Sequence, residues 1–299
     1  MDIQTQLTTK RLLIEPLTAT DKNFIFELVN TGEWIKFIGN RNITSGTEAE
    51  AYIQKILDNP DILYWIVKLK DNGTKIGIIT FIKRDYLKYY DIGFAFLPEF
   101  TQKGYAYEAA NAVLSNVINS GNHSHILATT VSENENSINL LKKLGLHFDK
   151  EIEVDKKKLH LYEISADKFR IDEISKSFFG IFTNVNDSRP EWDLLNSICI
   201  PETMIISKKE NEHTVYNLTS FIEPRKKILT DGTLTEFKEY ETFEQTIIFN
   251  NIAQRHSEFQ KQGVLEGKSF RQKGHKYFQF VKTMEQWKIS SVIWEDDNN

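Results

Sequence analysis

The stretch from Asp91 to Ala110 has residue types and spacing that suit the binding of an anion. It reads as an apolar strand ending at Pro98, a short loop with one glycine, Gly104, and a helix that follows at once. Backbone N–H groups in such a loop, with a helix N-terminus behind them, attract phosphate groups. Gly104 lets a ligand approach the backbone closely, and Ala106 is too small to block it. An ordinary strand-to-helix connection would need the same glycine, so the loop alone leaves both interpretations open.

The elements that position this loop alternate between strands and helices. Strands are predicted at residues 11–16, 64–70, 75–83, 90–97 and 126–131, with a last hairpin at 146–148 and 159–164. Helices are predicted at residues 23–30, 47–58, 105–120 and 136–144, from caps, apolar periodicity and glycine or proline stops. This order predicts an α/β unit, a mixed sheet covered by helices.

A second unit is predicted to begin near Asp167, which gives domains at residues 1–166 and 167–299. Helices are predicted at residues 169–182, 192–198 and 218–229, and strands at 204–208, 235–249, 252–262, 268–282 and 287–294. Helices followed by long strands indicate an α+β layer in which a curved antiparallel sheet wraps a helix.

Four segments of the first half resemble, in order, motifs of the GNAT superfamily of acetyl-CoA-dependent N-acetyltransferases. Phe96-Leu97-Pro98 and Gly104-Tyr105-Ala106 are similar to the strand end and the G-x-A of its motif A. Asn134-x-x-Ser137 and the LLKKLGL run after it are similar to the second cofactor motif. The TKRLLIEPL opening and EWIKFIG resemble the branch that acetylates N-termini of ribosomal proteins. The resemblance covers about residues 8–165 and implies the GNAT fold, a mixed, splayed central sheet with flanking helices.

The resemblance also implies where the co-substrate acetyl-CoA would bind. The sheet would splay between the strands at 91–97 and 126–131, with the pantetheine arm in the gap. Backbone groups around Phe96 and Leu97 would hold that arm, and a backbone N–H there would polarise the thioester carbonyl. Loop N–H groups would cradle the pyrophosphate, from Gln102, Lys103, Gly104, Tyr105 and Ala106. The side chain of Asn134, with Ser137 beside it, would bind the pantetheine or the far end of the cofactor.

Two residues depart from the family pattern, and they affect the choice of catalytic candidates. Thr101 stands where Gln or Arg is usual, and Leu141 stands where many members carry the Tyr that protonates the departing thiolate. Ser137 is therefore our candidate proton donor, although a serine at a helix start is also a common cap.

Two carboxylates are candidates for the remaining proton transfer. Asp91 is our candidate base for the proton of the amine, with a solvated aspartate at a strand start as the alternative. Glu108 lies in the first helical turn, and three roles are open for it. Its negative charge interacts favourably with the helix dipole, or it orients an acceptor, or it acts as a base.

The second half is similar to the NTF2-like (SnoaL-like) fold. The resemblance lies in the helix at 169–182, the YNLTSFI run at 216–222 and the strand-turn-W-K-I pattern at 276–289. It implies a cone of helices wrapped by a curved sheet, with a pocket at one end and a homodimer formed through the sheet. Gln254, His256 and Glu258 share one sheet face, which is either a polar pocket, an acid–base pair, or a solvated or dimer-facing side.

Composition excludes several other classes of protein. The 299 residues carry 37 Lys and Arg against 42 Asp and Glu, a formal charge of −5 spread evenly, which disfavours a nucleic-acid partner. No apolar run approaches a membrane span and the start has no secretory pattern, so we expect a cytoplasmic protein. A single cysteine, Cys199, and histidines without ligand spacing predict no metal site.

The leading hypothesis is transfer of an acetyl group from acetyl-CoA to a primary amine by direct attack. The amine belongs either to a protein N-terminus or to a small molecule, and the second domain would dimerise the enzyme or select the acceptor. One alternative is an acyl-CoA-binding sensor or scaffold without turnover. Another is a bifunctional protein whose NTF2-like half acts on a small ligand.

Overall fold

The computed structural model describes residues 3–186, 188–284 and 286–297, and the chain divides into two compact units, Met1–Ala166 and Asp167–Asn299. Strands of the first unit are β1 (Leu7–Thr8), β2 (Leu12–Pro16), β3 (Ile62–Leu69), β4 (Lys75–Ile82), β5 (Asp91–Phe96), β6 (His125–Thr130), β7 (His147–Val154) and β8 (Lys157–Ser165). Its helices are α1 (Lys22–Val29), α2 (Gly32–Phe37), α3 (Gly46–Leu57), α4 (Tyr105–Asn119) and α5 (Glu135–Lys143). No helix among the described residues is long and apolar enough to cross a membrane.

The first unit is built on one eight-stranded sheet with the order β1-β2-β3-β4-β5-β6-β8-β7. All neighbouring strands are antiparallel except β5 and β6, which are parallel. Helices α1 to α3 form a buried cluster with residues of β3 and β4 that include Tyr64, Ile66 and Ile78. Helix α4 contacts β2, β4 and β5 and buries an apolar stripe that includes Val113 and Val117. The mixed sheet that the sequence predicts is confirmed.

The second unit combines three helices with a six-stranded sheet. The helices are α6 (Ala166–Gly180), α7 (Trp192–Ile198) and α8 (Leu218–Thr230). The strands are β9 (Cys199–Lys209), β10 (Glu212–Tyr216), β11 (Leu234–Phe249), β12 (Ile252–Leu265), β13 (Lys268–Thr283) and β14 (Gln286–Asp296). Their order is β10-β9-β14-β13-β12-β11, with β14 and β9 parallel and the other pairs antiparallel. Bulges interrupt β11 and β14, and bulges bend the strands that carry them.

The buried face of this second sheet carries aromatic rings and charged groups together. Phe178 and Phe179 of α6 pack on Phe278 of β13, with ring centroids 5.2 and 5.8 Å apart. Arg255 is 3% exposed and forms ion pairs with Asp172, Glu241 and Glu244. Lys276 pairs with Glu239 and lies 4.1 Å from the Phe259 ring. Each buried cation therefore has a carboxylate partner, as burial of a charge requires.

The outer face of this sheet carries the polar row predicted from the alternation. Over residues 253–259 of β12, Ala253, Arg255, Ser257 and Phe259 are buried, so Gln254, His256 and Glu258 lie on the opposite, outward face. Nε2 of His256 lies 3.0 Å from Nδ1 of His275 on that face. The row therefore lies outside the packed interior, and Gln254 lines an open pocket together with Gln279 and Ser290.

Candidate active site

A gap opens between the parallel strands β5 and β6. They pair only at Asp91 and Leu127, where the Leu127 N–H donates to the Tyr90 carbonyl at 2.9 Å, and they separate towards Phe96 and Thr130. Strand β5 stays paired with β4 along its whole length. The backbone of Phe94 and Phe96 therefore faces a side of β5 on which no strand pairs with it among the described residues. Unpaired backbone groups beside a sheet interior favour a polar ligand in the gap.

Leu97 does not contribute to this gap as the sequence predicts. Its N–H donates to the Ile76 carbonyl at 2.9 Å, and its carbonyl accepts from the Phe100 N–H at 3.0 Å. Its side chain is 4% exposed and packs in the core with α1 to α3. The alternation of backbone directions along β5 places Phe96, rather than Leu97, against the gap, and the assignment of Leu97 to cofactor binding is corrected accordingly.

The predicted cradle lies at the open end of the gap, where β5 leads into α4. One 3-10 turn (Pro98–Phe100) precedes four exposed residues, 101–104. Gln102 and Gly104 have positive φ angles of 59° and 80°, and Gly104 is the N-cap of α4. The first N–H groups of a helix have no partner inside it, and the positive end of the helix dipole adds to their attraction for an anion. The loop thus has the backbone geometry that a pyrophosphate requires.

Arg11 and Glu108 tie this cradle to the N-terminal strands. The Glu108 carboxylate accepts from the Thr9 hydroxyl at 2.6 Å, the Arg11 N–H at 2.8 Å and the Arg11 Nε at 2.6 Å. The Arg11 guanidinium also donates to the Lys103 carbonyl at 3.0 Å and lies 4.5 Å from the Tyr105 ring. Partial burial raises the pKa of Glu108, but these hydrogen bonds outweigh it and hold that pKa below its ordinary value.

These contacts correct the catalytic assignment of Glu108. Both carboxylate oxygens of Glu108 are engaged by Thr9 and Arg11 of the N-terminal strands. A carboxylate held in its ionised form by three donors is a poor proton acceptor. The contacts of Glu108 instead join the start of α4 to the N-terminal strands, and through Arg11 to the Lys103 carbonyl of the loop.

Replacing Glu108 by glutamine should lower the free energy of unfolding by about 1 kcal/mol at neutral pH, since Arg11 is partly exposed. Because the folded state lowers the pKa of Glu108, its contribution is present above the ordinary value of 4.5 and disappears as the pH falls through the folded-state pKa. Urea unfolding at neutral and acidic pH measures both effects. The exposed Glu99→Gln variant is the control, and equal stability of Glu108→Gln and the unmodified protein at neutral pH would refute the role.

Helix α5 begins at the carboxyl end of β6, beside the same gap. Asn134 caps it by accepting the Ser137 N–H at 3.1 Å, and Ser137 is half-buried in the first turn. Within the described part of the chain, the Ser137 hydroxyl makes no hydrogen bond and so remains available to a ligand. Leu141 is 1% exposed, so the residue that replaces the family's tyrosine is part of the core. The Lys143 ammonium lies 4.6 Å from the Tyr107 ring, which joins α5 to α4.

Asp91 lies at the closed end of the gap and is 2% exposed. Its Oδ2 accepts from Arg84 Nε at 2.8 Å and from the Thr129 hydroxyl at 2.9 Å, so the second bond joins β5 to β6 where they begin to separate. Burial raises the pKa of Asp91, although Arg84 and Thr129 act to lower it. The alternative prediction of a solvated aspartate is wrong. A carboxylate with a raised pKa is a better proton acceptor than an ordinary aspartate.

The predicted residues divide between the two ends of one gap. Phe96, the loop from Gln102 to Ala106, and the start of α5 with Asn134 and Ser137 lie at the carboxyl ends of β5 and β6. Carboxyl ends of parallel strands are where α/β sheets bind ligands. Asp91 lies at the closed end, towards which an extended ligand anchored at the loop would point. Among the described residues, no group of three or more His, Cys, Asp or Glu side chains is arranged to hold a metal ion.

Sequence reasoning missed Arg11, Arg84 and Thr129. Arg11 belongs to the TKRLLIEPL segment, but nothing local indicates that it reaches Glu108, 97 positions away. Arg84 and Thr129 meet Asp91 only because β4, β5 and β6 are neighbours in the sheet.

Comparison with known proteins supports this description of the first unit. The family model described as acetyltransferase (GNAT) domain matches residues 11–147. The uncharacterized N-acetyltransferase YnaD of Bacillus subtilis (strain 168) is 35% identical over 141 residues, which cover 47% of this chain and 81% of YnaD. YoaA, an uncharacterized N-acetyltransferase of the same strain, is 29% identical over 150 residues, which cover 48% of this chain and 83% of YoaA.

A solved structure shares the fold. The crystal structure of a GCN5-related N-acetyltransferase from Brucella melitensis superimposes with a TM-score of 0.50 and 14% identity, covering 62% of this chain and 90% of that one. The splayed strands, the loop before α4, the family model and the similarity to YnaD agree with one another. Through its first unit, this chain belongs to the GNAT family of acetyltransferases.

Proposed function

We propose that the first unit transfers an acetyl group from acetyl-CoA to a primary amine, at a protein N-terminus or on a small molecule. The observation that carries the proposal is the gap between β5 and β6, closed at Asp91 and open at the loop before α4. An unpaired strand edge, a positive-φ glycine at a helix start and the free hydroxyl of Ser137 suit the arm and the pyrophosphate of that co-substrate. Acetyl-CoA supplies an activated thioester when it is bound.

The residues around the gap would each perform one task. N–H groups from Gln102 to Ala106 would bind the pyrophosphate, and Phe96 and Asn134 would hold the pantetheine arm. As the amine nitrogen bonds to the carbonyl carbon and the C–S bond breaks, Asp91, directly or through water, would accept the proton that the nitrogen loses. Ser137 would donate a hydrogen bond or a proton to the departing sulfur, a task for which buried Leu141 has no group.

Binding of CoA tests the cofactor half of this proposal. A ligand specific for the folded state raises its stability by mass action, so millimolar CoA should raise the melting temperature of the full chain. Desulfo-CoA should do the same, and pantetheine, which lacks the pyrophosphate, should do so much less. Stabilisation by CoA without turnover on any amine would favour an acyl-CoA sensor instead. No stabilisation by CoA would refute both.

We further propose, from the resemblance of the TKRLLIEPL and EWIKFIG segments, that the first unit belongs to the branch that acetylates N-termini of ribosomal proteins. We also propose that the second unit is an NTF2-like module which dimerises the protein. Half-exposed apolar side chains on the outer sheet face support a self-association surface, since exposed apolar clusters mark interfaces. They are Phe243, Ile247, Phe249, Ile252 and Tyr277, exposed by 49 to 69%. Selection of the acceptor is the alternative role for the second unit.

Replacing Ile247 by aspartate should convert the dimer to a monomer, because two copies of a charge would then be buried at a two-fold interface. Light scattering over a range of protein concentrations measures the mass. Met284→Asp is the matched control, since Met284 is 99% exposed in the turn between β13 and β14. A monomer at all concentrations for the unmodified chain would refute dimerisation.

A further inference from the structure

The two carboxylate oxygens of Asp91 have different surroundings. Oδ2 accepts from Arg84 Nε at 2.8 Å and from the Thr129 hydroxyl at 2.9 Å, whereas no donor of the described residues contacts Oδ1. We infer that Arg84 and Thr129 are positioning residues, which hold Oδ2 and leave Oδ1 to take the proton of the acceptor amine. This inference rests on the proposed function and names the groups that prepare its base.

Asp91 lies in a row of side chains that crosses the first sheet. It pairs in register with Ile82 of β4 on one side and with Leu127 of β6 on the other. Ile82 pairs in turn with Ile62 of β3, and Leu127 pairs with Glu163 of β8. Because both direct neighbours of Asp91 are apolar, its negative charge has to be stabilised by donors from outside this row.

The two donors reach Oδ2 from different elements. Arg84 belongs to the loop after β4, two residues beyond Ile82. Thr129 follows two residues after Leu127, where β5 and β6 pair, and therefore lies on the same face of β6 as Leu127. The guanidinium supplies a permanent positive charge and a directed N–H, and the hydroxyl supplies a neutral donor. Two donors from separate elements fix the carboxylate of Asp91 in one orientation.

The other oxygen of Asp91 is within reach of a ligand. The described polar atoms that are both enclosed and without a partner do not include Oδ1, so it keeps some accessible surface although the residue is 2% exposed. As the amine nitrogen bonds to the carbonyl carbon and the C–S bond breaks, the proton that the nitrogen loses passes to Oδ1, directly or through water. The protonated carboxyl group returns this proton to solvent after the amide product leaves.

The other ionisable groups near Asp91 are neutral or have partners. Burial raises the pKa of the Tyr86 phenol, in the loop that carries Arg84, and that of the Tyr64 phenol of β3, so both are uncharged near neutral pH. The Glu163 carboxylate, one strand further along the row, lies 3.3 Å from a histidine of β6. Burial raises the pKa of Asp91, and Arg84 and Thr129 oppose this rise.

The pH profile of the Arg84→Met variant tests the charged contact. In the full chain with acetyl-CoA and one amine acceptor, kcat/KM should rise with pH as Asp91 ionises. Arg84→Met removes the charge and the donor, so the pKa of Asp91 should rise and this rising limb of the profile should move to higher pH. On the limb kcat/KM should fall about tenfold or more, but on the alkaline plateau it should stay within about threefold. Arg84→Lys keeps the charge and should restore part of the limb.

Thr129→Val tests the neutral contact, since valine keeps the shape of the side chain and lacks the hydroxyl. The limb should move in the same direction, with kcat/KM about threefold or more lower on it, and Thr129→Ser should restore it. Thr130→Val is the matched control, because Thr130 is buried on the opposite face of the same strand. Lys88→Met removes an exposed positive charge from the loop that carries Arg84, and it should also leave the limb in place.

A titration of the Asp91 carboxyl carbon gives a readout without turnover. The full chain is labelled with ¹³C-aspartate, and the signal is assigned by its absence in Asp91→Asn. The midpoint of its titration should move to higher pH in Arg84→Met and Thr129→Val, and should stay in place in Thr130→Val and Lys88→Met. A structural role alone would lower kcat/KM equally at every pH and leave this midpoint unchanged.

The outcomes separate this inference from the proposed function. A limb and a midpoint that stay in place in both Arg84→Met and Thr129→Val would overturn the inference and leave acetyl transfer intact. A midpoint that moves while the limb stays would overturn it as well, because Asp91 would then not be the base. Absence of turnover with every amine in the unmodified chain would refute the proposed function, and this inference with it.

Discussion

Replacing Asp91 by asparagine should lower kcat/KM for acetyl transfer by about 10²- to 10⁴-fold, the usual contribution of a general base. The amide keeps the size of the side chain and retains an oxygen that accepts from Arg84 or Thr129, but it cannot take a proton from the amine. Steady-state release of CoA thiol measures the effect. Asp85→Asn, one residue beyond Arg84 and exposed, is the matched control and should change kcat/KM less than twofold.

The pH profile separates a basic role of Asp91 from a structural one. Because burial raises the pKa of Asp91, its basic form is lost as the pH falls through a value above the ordinary 3.8. In the unmodified enzyme kcat/KM should therefore rise with pH through this value. This rising limb of the pH profile should be absent in Asp91→Asn. The limb from ionisation of the acceptor itself should remain in both. A kcat/KM within threefold of the unmodified enzyme, with the limb retained, would show that another group is the base.

Replacing Gly104 by valine should weaken CoA binding at least about 100-fold, or roughly 2.8 kcal/mol. The φ angle of 80° is one that a β-branched residue rarely adopts, and an added Cβ would lie 3.3 Å from the Arg11 guanidinium. Either the loop changes conformation or Arg11 moves, and both disturb the N–H groups that would bind the pyrophosphate. Calorimetric titration with CoA measures the dissociation constant.

Gly121 provides a matched control at the other end of the same helix. Its φ angle is 79°, and a Cβ there meets no described atom within 4 Å. Gly121→Val should therefore cost a similar free energy of unfolding from backbone strain, about 1 to 2 kcal/mol, but leave CoA binding unchanged. If both variants weaken CoA binding equally, the effect arises from general destabilisation of α4, and the loop is not the phosphate site.

Local signals were sufficient to predict most elements of this chain. Capping residues, glycine stops and apolar periodicity predict α3, α4, α5, α7 and α8 to within about two residues. The sequence does not predict helix α2, because its six residues are too few to show the apolar periodicity of a helix. Strand β10 was missed because the run Glu212–Tyr216 is polar and exposed at the sheet edge, so it lacks the alternation that marks a strand.

The site could be predicted only where its chemistry is local. The loop from Gln102 to Ala106 and the cap at Asn134 follow from their own sequences. The separation of β5 from β6 depends on the order of strands in the sheet, and the resemblance to a family supplied it. The burial of Asp91 also depends on that order, because its partner Arg84 lies in the loop after β4 and its partner Thr129 lies in β6.

The role of Glu108 could not be predicted from the local sequence, for the same reason. Its place in the first turn of α4 suits both a dipole role and a base. Its use is decided by Thr9 and Arg11, which lie 97 or more positions earlier in the chain. The assignment of Leu97 failed for a related reason. The backbone N–H and C=O groups of successive residues in a strand point to opposite sides, and only the pairing of β5 with β4 determines which residues direct these groups into the gap.

The most direct test of acetyl transfer follows both products in one reaction. The full chain is incubated with acetyl-CoA and a panel of amines and short peptides, and free thiol and acceptor mass are measured together. We expect thiol release that requires an amine, with one acetyl group added to the acceptor for each thiol, and loss of both signals in Asp91→Asn and Gly104→Val. Thiol release without an acetylated acceptor, or no release with any amine although CoA binds, would contradict this expectation.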